Sequence, residues 1–158
     1  MRTFFIALLI PMSVFASPKV SVDVELNPAG SFQAITHDLK GKITKQGETL
    51  KADKISIPVK TLQTGIDLRD EHLWKHLSVS KYPSVTLSNV KGEKGKANGI
   101  LEIAGIKKNI SIDYKEKGNE VLASFKINTH DFKLPKAEYL NVGVEEIITC
   151  EVTMPINQ

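Results

Sequence analysis

Apolar and polar residues alternate with a period of two through most of this sequence. Val20, Val22, Val24 and Leu26, for example, are separated from one another by single polar residues. Successive side chains of a strand point to opposite faces, so this alternation indicates strands with one buried and one solvated face. The pattern recurs in about eight segments separated by turn sequences, which predicts an antiparallel all-β fold.

A sheet with one apolar face must cover that face, either by stacking against a second layer or by closing on itself. The sequence offers only one helical segment, over 62–77, which is too short to cover so wide a sheet. Closure also removes the unpaired edges of a sheet. We therefore expect an antiparallel barrel of about eight strands with one short helix, whose interior is filled by side chains or holds one slim ligand.

Interruptions of the alternation predict local features of the strands. Residues 32–43 are expected to form one long strand that bends at 37–38. The apolar positions shift by one residue after Ala52, which predicts a β-bulge at 53–54. Residues 118–119, a Gly-Asn pair, are expected at a hairpin turn.

Residues 1–16 have the organisation of a secretory signal peptide. The basic Arg2 precedes an apolar run over 4–14, and the small Ala16 suits the position before a cleavage site. The run is too short to be a stable membrane anchor. We expect cleavage after Ala16 and export of a single domain, residues 17–158.

The distribution of charge argues against some classes of partner. The formal net charge is +3 at pH 7, and the lysines are spread along the whole chain. Nucleic acids and anionic membranes are bound by concentrated basic patches. The sequence therefore predicts neither as a partner, and no apolar run after residue 16 is long enough to span a bilayer.

Cys150 is the only cysteine, so no disulfide can form within the chain. It shares the apolar face of an alternating segment with Ile148, Val152 and Met154. We interpret it as a small buried hydrophobe whose thiol stays neutral. A catalytic role is not expected, because nothing in the sequence places a base beside it.

The helical segment contains the densest group of reactive side chains. His72 and His76 are four residues apart, so they lie on one helix face and could bind a metal. Asp67 or Asp70 could add a carboxylate, but no third ligand is clear. Both histidines also suit a solvated helix face above the packing residues Leu68, Leu73, Trp74 and Leu77. The motifs of α/β-hydrolases, zinc peptidases and phosphate-binding loops do not occur. We expect no catalytic residue and no metal site, while a metal- or His-dependent enzyme centred on 67–76 stays an alternative.

Arg69 and Asp70, in the same segment, are interpreted first as structural residues. The planar guanidinium of Arg69 can tie the helix to the ends of strands. The carboxylate of Asp70 suits the first helical turn, where the helix dipole favours negative charge. Recognition of a ligand headgroup is the second interpretation of this pair.

Four sequence motifs extend over the strands and the helical segment. They are L-x-T-G-x-x-x-R-D-x-H-L over 62–73, K-Y-P-x-V-T-L over 81–87, G-x-L-x-I-x-G-I-x-K-x-I-x-I-x-Y over 99–114 and T-H-D-F-K-L over 129–134. Together they resemble the YceI-like family, also described as lipid- or polyisoprenoid-binding. The resemblance covers essentially all of the expected exported domain.

The resemblance implies a lipocalin-like barrel that is exported to the bacterial periplasm. Members of the family can hold a long isoprenoid chain, such as a quinone tail, in the barrel, and the resemblance also raises a homodimer. We therefore expect a protein that is not an enzyme, has no cofactor, and binds an isoprenoid or another amphiphilic lipid as a carrier or reservoir. An isoprenoid chain offers only apolar surface, whose burial contributes roughly 25 cal/mol per Å² before ordering costs.

The inward positions of the strands and the helical segment supply the expected site residues. The expected ligand contacts are Phe32, Trp74, Tyr82, Ile103, Ile112, Tyr114 and Phe125. Trp74 and Tyr82 are expected near the mouth of the barrel, with Arg69, Asp70 and His72 bracing it. A barrel packed solid, which works through its surface as an interaction module without a ligand, is a further alternative.

Overall fold

A computed structural model describes residues 17–139 and 142–157 of the chain. The expected signal peptide, residues 1–16, lies outside the described residues. The described part is built almost entirely from strands, as the alternation predicts. The strands are β1 (Lys19–Asn27), β2 (Ser31–Thr36), β3 (Ile43–Gln46), β4 (Thr49–Pro58), β5 (Ser84–Glu93), β6 (Lys96–Ile103), β7 (Ile106–Lys117), β8 (Glu120–Asn128), β9 (Glu138–Tyr139), β10 (Val142–Val144) and β11 (Ile147–Asn157).

The one α-helix of the described chain, α1 (Asp67–His76), lies inside the segment predicted to be helical. It follows Gly65, whose φ of +81° turns the chain out of the strand region. Acidic residues occupy its first turn and basic residues its last turn, an arrangement that the helix dipole favours. Two short 3₁₀ turns, Val59–Thr61 and Thr129–Phe132, complete the regular elements.

Seven of the strands close into a barrel. Each strand from β3 to β8 pairs antiparallel with the next strand in the sequence, and β8 pairs antiparallel with β11. A short parallel pairing of β11 with β3, at Ile156 with Ile43 and at Asn157 with Thr44, completes the closure. The fold is therefore the expected all-β barrel, but its closed circuit contains seven strands and not the expected eight.

The wall has a gap between β11 and β3, because these two strands pair only at one end, and the β1–β2 hairpin occupies this gap. The same edge of β11 meets β3 near Ile156 and meets β1 over Thr149–Thr153, so these two strands share it. The hairpin reaches the far side of the gap through a backbone bridge between Ile35 and Gln63. At its other end β1 also pairs with β10, and β10 pairs with β9.

The expected single strand over 32–43 is two strands, β2 and β3. Because β3 pairs directly with β11, β1 and β2 lie outside the closed circuit, which has seven strands instead of eight. Gly41 between them has a φ of +131°, and a Cβ there would lie 2.3 Å from the carbonyl oxygen of Lys54. Lys40 beside it forms an isolated backbone bridge with Ser56. The chain therefore runs close beside β4 at a position that only glycine can occupy, and the two halves join different parts of the wall.

The β-bulge predicted at 53–54 is present on the side of β4 that pairs with the preceding segment. Thr44 pairs with Lys51 and Lys40 pairs with Ser56, so β4 has one more residue than its partner between these two pairs. A second bulge lies beside it in β5, where the register with β6 shifts between Ser88 and Lys91 and Asn89 has a φ of +52°, and the register between β4 and β5 therefore stays uniform. The hairpin turn expected at 118–119 is present between β7 and β8. The shift of apolar positions in β4 therefore reflects a distortion that the two neighbouring strands share.

The inward faces of the strands form two buried apolar clusters. One lies under α1 and includes Leu62, Leu77 and Ile103. The other lies toward the opposite end and includes Tyr114 and Met154. No helix in the described part of the chain combines the length and apolarity needed to cross a membrane.

Candidate functional site

The barrel is hollow. A cavity of about 880 Å³ runs through its interior, which is near the top of the roughly 300–1,000 Å³ typical of small-molecule sites. Inward-facing side chains of the barrel strands and of β1 and β2 line it. Several of these are small, which leaves the space unfilled: Ala34, Ala52, Gly92, Ala97 and Ala123.

Five of the seven expected ligand contacts line the cavity: Phe32, Ile103, Ile112, Tyr114 and Phe125. The ring of Tyr114 packs so closely on Gly92 that a Cβ there would lie 2.8 Å from Cε1 of the tyrosine. Ile112 and Tyr114 belong to the apolar cluster away from α1, and Ile103 to the cluster under it. The inward residues predicted from strand alternation therefore extend along most of the cavity.

Trp74 and Tyr82 lie outside the cavity lining, although they were expected near its mouth. The indole of Trp74 packs against the core, and its Nε1 donates a hydrogen bond of 3.1 Å to the carbonyl oxygen of Leu62. The ring of Tyr82 covers Gly105 in the β6–β7 turn, where a Cβ would lie 2.6 Å from the ring. Both aromatic residues fasten the helical segment and the segment after it to the barrel.

Helix α1 lies beside the cavity and presents a basic face to it. Arg69, His72, Lys75 and His76 line the cavity from this helix. The guanidinium of Arg69 lies over the ring of Phe32, 4.6 Å from the ring centroid, at a distance where a cation and an aromatic face attract. This contact joins α1 to strand β2 at the edge of the cavity.

Asp70 faces away from the cavity and holds the loop before α1. It is buried, and its Oδ1 accepts hydrogen bonds of 2.6 Å from both the backbone N–H and the hydroxyl of Thr64. Hydrogen bonds to an ionised carboxylate are among the stronger ones in proteins. Asp70 therefore fixes Thr64 against the first turn of the helix, while its neighbour Arg69 reaches the cavity.

The pair His72 and His76 lies on the cavity side of α1. Burial lowers the pKa of His76, because the interior disfavours the charged imidazolium. Within residues 17–139 and 142–157, no group of three or more His, Cys, Asp or Glu side chains could hold a metal ion. This part of the chain therefore supplies two histidines at the cavity and no third ligand to complete a site.

Cys150 also lines the cavity, from strand β11. It is buried, as its place in the alternating segment predicts, and it is a free thiol. Burial, with a smaller contribution from Asp23, raises its pKa to about 12. The thiol is therefore protonated and unreactive at neutral pH.

A family model described as the YceI-like domain matches residues 14–157 of the chain, nearly its full length. The chain belongs to the YceI-like family. A comparison with curated proteins gave no significant match for this YceI-like chain.

Solved structures with the same fold come from several bacteria. BcnA of Burkholderia cenocepacia is 15% identical with a TM-score of 0.65, over 87% of this YceI-like chain and 96% of BcnA. A polyisoprenoid-binding domain from Saccharophagus degradans is 11% identical with a TM-score of 0.63, over 86% and 91% of the two chains. The YceI protein of Campylobacter jejuni is 21% identical with a TM-score of 0.60, over 77% and 81%. At these identities the likeness shows a shared fold.

The cavity of this YceI-like protein has further lining residues that the sequence did not indicate. They come from the loop before α1, from its first turn, and from the region of β9 and β10: Ile66, Leu68, Lys136, Glu138 and Val142. Their sequence context is irregular, and the alternation that identifies inward residues in long strands is absent there. The contact between Arg69 and Phe32 joins α1 to β2, and the pairing of β1 with β10 holds the other side. Leu68, expected to pack beneath the helix, is instead 61% exposed.

Proposed function

We propose that this YceI-like protein binds a long-chain isoprenoid or another amphiphilic lipid inside its barrel. The observation that carries the proposal is the cavity of about 880 Å³, whose wall along the strands is almost wholly apolar. Polar and charged lining residues are concentrated near α1 and β9. A ligand with a long apolar chain and one polar end matches this division, because each part meets groups of its own polarity.

The energetics favour occupancy by such a ligand. Apolar surface removed from water contributes roughly 25 cal/mol per Å², less the cost of ordering the ligand. Side chains that border empty space also lack contact partners, so a bound chain restores dispersion contacts for the wall. The description of the Saccharophagus degradans neighbour as polyisoprenoid-binding supports an isoprenoid as the first candidate.

A carrier or reservoir role in the periplasm completes the proposal. The signal-peptide pattern at the N-terminus supports export. A lipid with a long apolar chain cannot cross an aqueous compartment unprotected, and a closed barrel shields it. The same cavity argues against the barrel packed solid. The described residues supply two histidines at the cavity and no group of three or more possible ligands, which gives little support to a metal-dependent enzyme.

Native mass spectrometry of protein purified from the periplasm tests the lipid-binding proposal. We expect an added mass of several hundred daltons, on the order of a drug-sized or longer ligand. Ala123→Phe places a ring in the cavity and should reduce this bound mass. Leu122→Phe adds the same ring on the outward side of the same strand, where Leu122 is exposed, and should leave it unchanged. Wild-type protein that never carries a lipid under gentle conditions would contradict the proposal.

A further inference from the structure

The two ends of the cavity differ in how far their apolar side chains reach solvent. Beside α1, three apolar lining residues are exposed: Ile66 (49%), Leu68 (61%) and Val142 (38%). The opposite end of the barrel carries the β3–β4, β5–β6 and β7–β8 turns. Five apolar lining residues toward that end are at most 8% exposed: Ile43, Leu50, Tyr114, Val121 and Met154. We refer to these five residues as the cavity floor.

The floor residues pack against one another, whereas residues midway along the barrel leave space between them. All five floor residues belong to one apolar cluster. Leu87, Phe125 and Val152, which pack against both this cluster and the one under α1, remain partly exposed although they line the interior. Their uncovered surface therefore borders the hollow. In the floor the corresponding surface is covered, so the cavity ends there.

Tyr114 is the largest residue of the floor, and its ring lies across the end of the interior. It belongs to β7 but reaches past β6 to β5, where a Cβ on Gly92 would lie 2.8 Å from Cε1 of the ring. Its backbone N–H donates a hydrogen bond of 3.0 Å to the carbonyl oxygen of Gly95 in the β5–β6 turn. Glycine at position 92 therefore leaves the room that the ring occupies.

An ion pair crosses the end of the interior just beyond the floor. Nζ of Lys45 lies 2.5 Å from Oε2 of Glu116. Lys45 lies opposite Leu50 and Glu116 lies opposite Val121 in antiparallel pairs, so both charged side chains start from the inward face of the wall. Their strands, β3 and β7, are not neighbours, so the pair spans the end of the barrel. The hydrogen bond to Glu116 raises the pKa of Lys45, and Tyr114 lies close enough to contribute to this rise.

The ion pair makes this end of the barrel polar. Its side chains are 38% and 30% exposed, and exposed ion pairs contribute little to stability. An apolar chain that extended past the floor would remove water from both charges without replacing their hydrogen bonds, which is unfavourable. Lys51 also lines the cavity, but its ammonium donates a hydrogen bond of 3.0 Å to the exposed side chain of Gln46. The floor and the ion pair together therefore form a barrier to an apolar chain.

We propose that Tyr114 sets the length of the apolar chain that the cavity accepts. The inference rests on the proposed lipid-binding function, in which the polar end of the ligand stays beside α1 and the chain extends toward the floor. Each additional methylene that enters the cavity raises affinity about fourfold. This gain ends when the tip of the chain meets the ring of Tyr114, because a longer chain leaves part of itself in water. Affinity therefore rises with chain length up to a limit.

Native mass spectrometry with a mixture of chain lengths measures this limit. Protein purified from the periplasm is freed of bound lipid on a hydrophobic resin. It is then incubated with an equimolar series of linear prenyl alcohols, from geraniol to solanesol, that differ by single isoprenoid units. The added mass of each complex identifies the length of the bound alcohol. We expect the bound fraction of the wild type to rise with length and then to rise no further. Ala123→Phe should reduce the binding of every alcohol, which checks that the alcohols occupy the cavity.

Tyr114→Leu and Phe125→Leu form a matched pair, because each replaces an aromatic ring of the cavity wall by leucine, one in the floor and one midway. We expect Tyr114→Leu to move the limit to longer alcohols and to raise binding of the first alcohol beyond the wild-type limit about tenfold or more. Phe125→Leu widens the cavity, so it should alter the binding of all alcohols without moving the limit. Tyr114→Phe keeps the ring and should keep the wild-type limit. Loss of the ring leaves a void that costs stability, so Tyr114→Met, whose flexible side chain adapts to irregular space, is the second floor variant.

Two results would overturn the role of Tyr114. One is a limit that stays at the wild-type length in Tyr114→Leu and Tyr114→Met while these variants bind the alcohols. The other is an equal shift of the limit in Phe125→Leu, which would assign the limit to the total volume of the cavity. Wild-type protein that binds none of the alcohols contradicts both this inference and the lipid-binding proposal. Protein that binds them with an unmoved limit contradicts only the role of Tyr114.

Discussion

Substitutions of Asp70 measure how strongly the loop before α1 is held in place. The carboxylate is buried, and one of its oxygens accepts two hydrogen bonds of 2.6 Å from Thr64. Each hydrogen bond to a charged group contributes about 1.5–3 kcal/mol, and the loss of the carboxylate leaves the backbone N–H of Thr64 without its acceptor, while the hydroxyl keeps only a 3.5 Å contact with the carbonyl oxygen of Ile66. Asp70→Ala should therefore lower the free energy of unfolding by about 3 kcal/mol or more.

A series of variants separates the hydrogen bonds from the charge. Asp70→Asn keeps a carbonyl oxygen of similar size, so its loss of stability should lie between those of wild type and Asp70→Ala. Thr64→Val removes the hydroxyl donor but keeps the backbone N–H, and should cost about 1–2 kcal/mol. Asp67→Ala is the matched control, because Asp67 is also in the first turn but is exposed. It should change stability by less than about 1 kcal/mol through the helix dipole.

Urea unfolding followed by tryptophan fluorescence is a direct assay, since Trp74 on α1 is the only tryptophan. The double variant Thr64→Val/Asp70→Ala should be more stable than the sum of the two single changes predicts, because the residues share one interaction. Equal effects of Asp70→Ala and Asp67→Ala, or additive effects in the double variant, would refute the assigned role of Asp70.

Two further predictions concern the close approach of Gly41 to β4 and the buried thiol. Gly41→Ala places a methyl group 2.3 Å from the carbonyl oxygen of Lys54 and should cost more than about 3 kcal/mol of unfolding free energy by urea titration. Gly47→Ala, at a φ of +60° with open space around it, should cost only about 1 kcal/mol. Cys150 has a folded-state pKa of about 12 against an ordinary value of 9.0. Between these two pH values its thiol ionises in the unfolded chain but not in the folded one, so the free energy of unfolding should fall by about 1.4 kcal/mol per pH unit. The difference in slope between wild type and Cys150→Ala in alkaline urea titrations measures this; parallel slopes would contradict it.

The strand pattern could be predicted because each strand carries its own signal. An inward residue such as Ile103 or Ile112 is two positions from the next inward residue, and the alternation alone assigns its face. The count of strands in the closed circuit could not be predicted in the same way. It depends on the direct pairing of β3 with β11 after the chain divides at Gly41, and the alternation of apolar and polar residues carries no signal for that pairing.

The positions of individual site residues could be predicted where strand periodicity sets them and not where contacts between distant segments set them. Phe32 and Phe125 line the cavity as the strand periodicity predicts. Trp74 and Tyr82 do not, because their environments are set by non-local partners, the carbonyl oxygen of Leu62 and the turn at Gly105. The cavity could not be predicted either, because its volume depends on the summed volume of many side chains. Each small residue contributes only one part of that sum.

The parallel pairing of β11 with β3 has a consequence for the order in which the protein can fold. It joins residues 43–44 to residues 156–157, which lie in distant parts of the sequence. Strand β11 also forms pairs with β8 and β1, so three strands of the wall are connected through it. Contacts this distant carry a high loop-closure cost and form slowly. While the chain emerges from the ribosome, the closed circuit of the wall therefore stays open until the last residues of β11 are available.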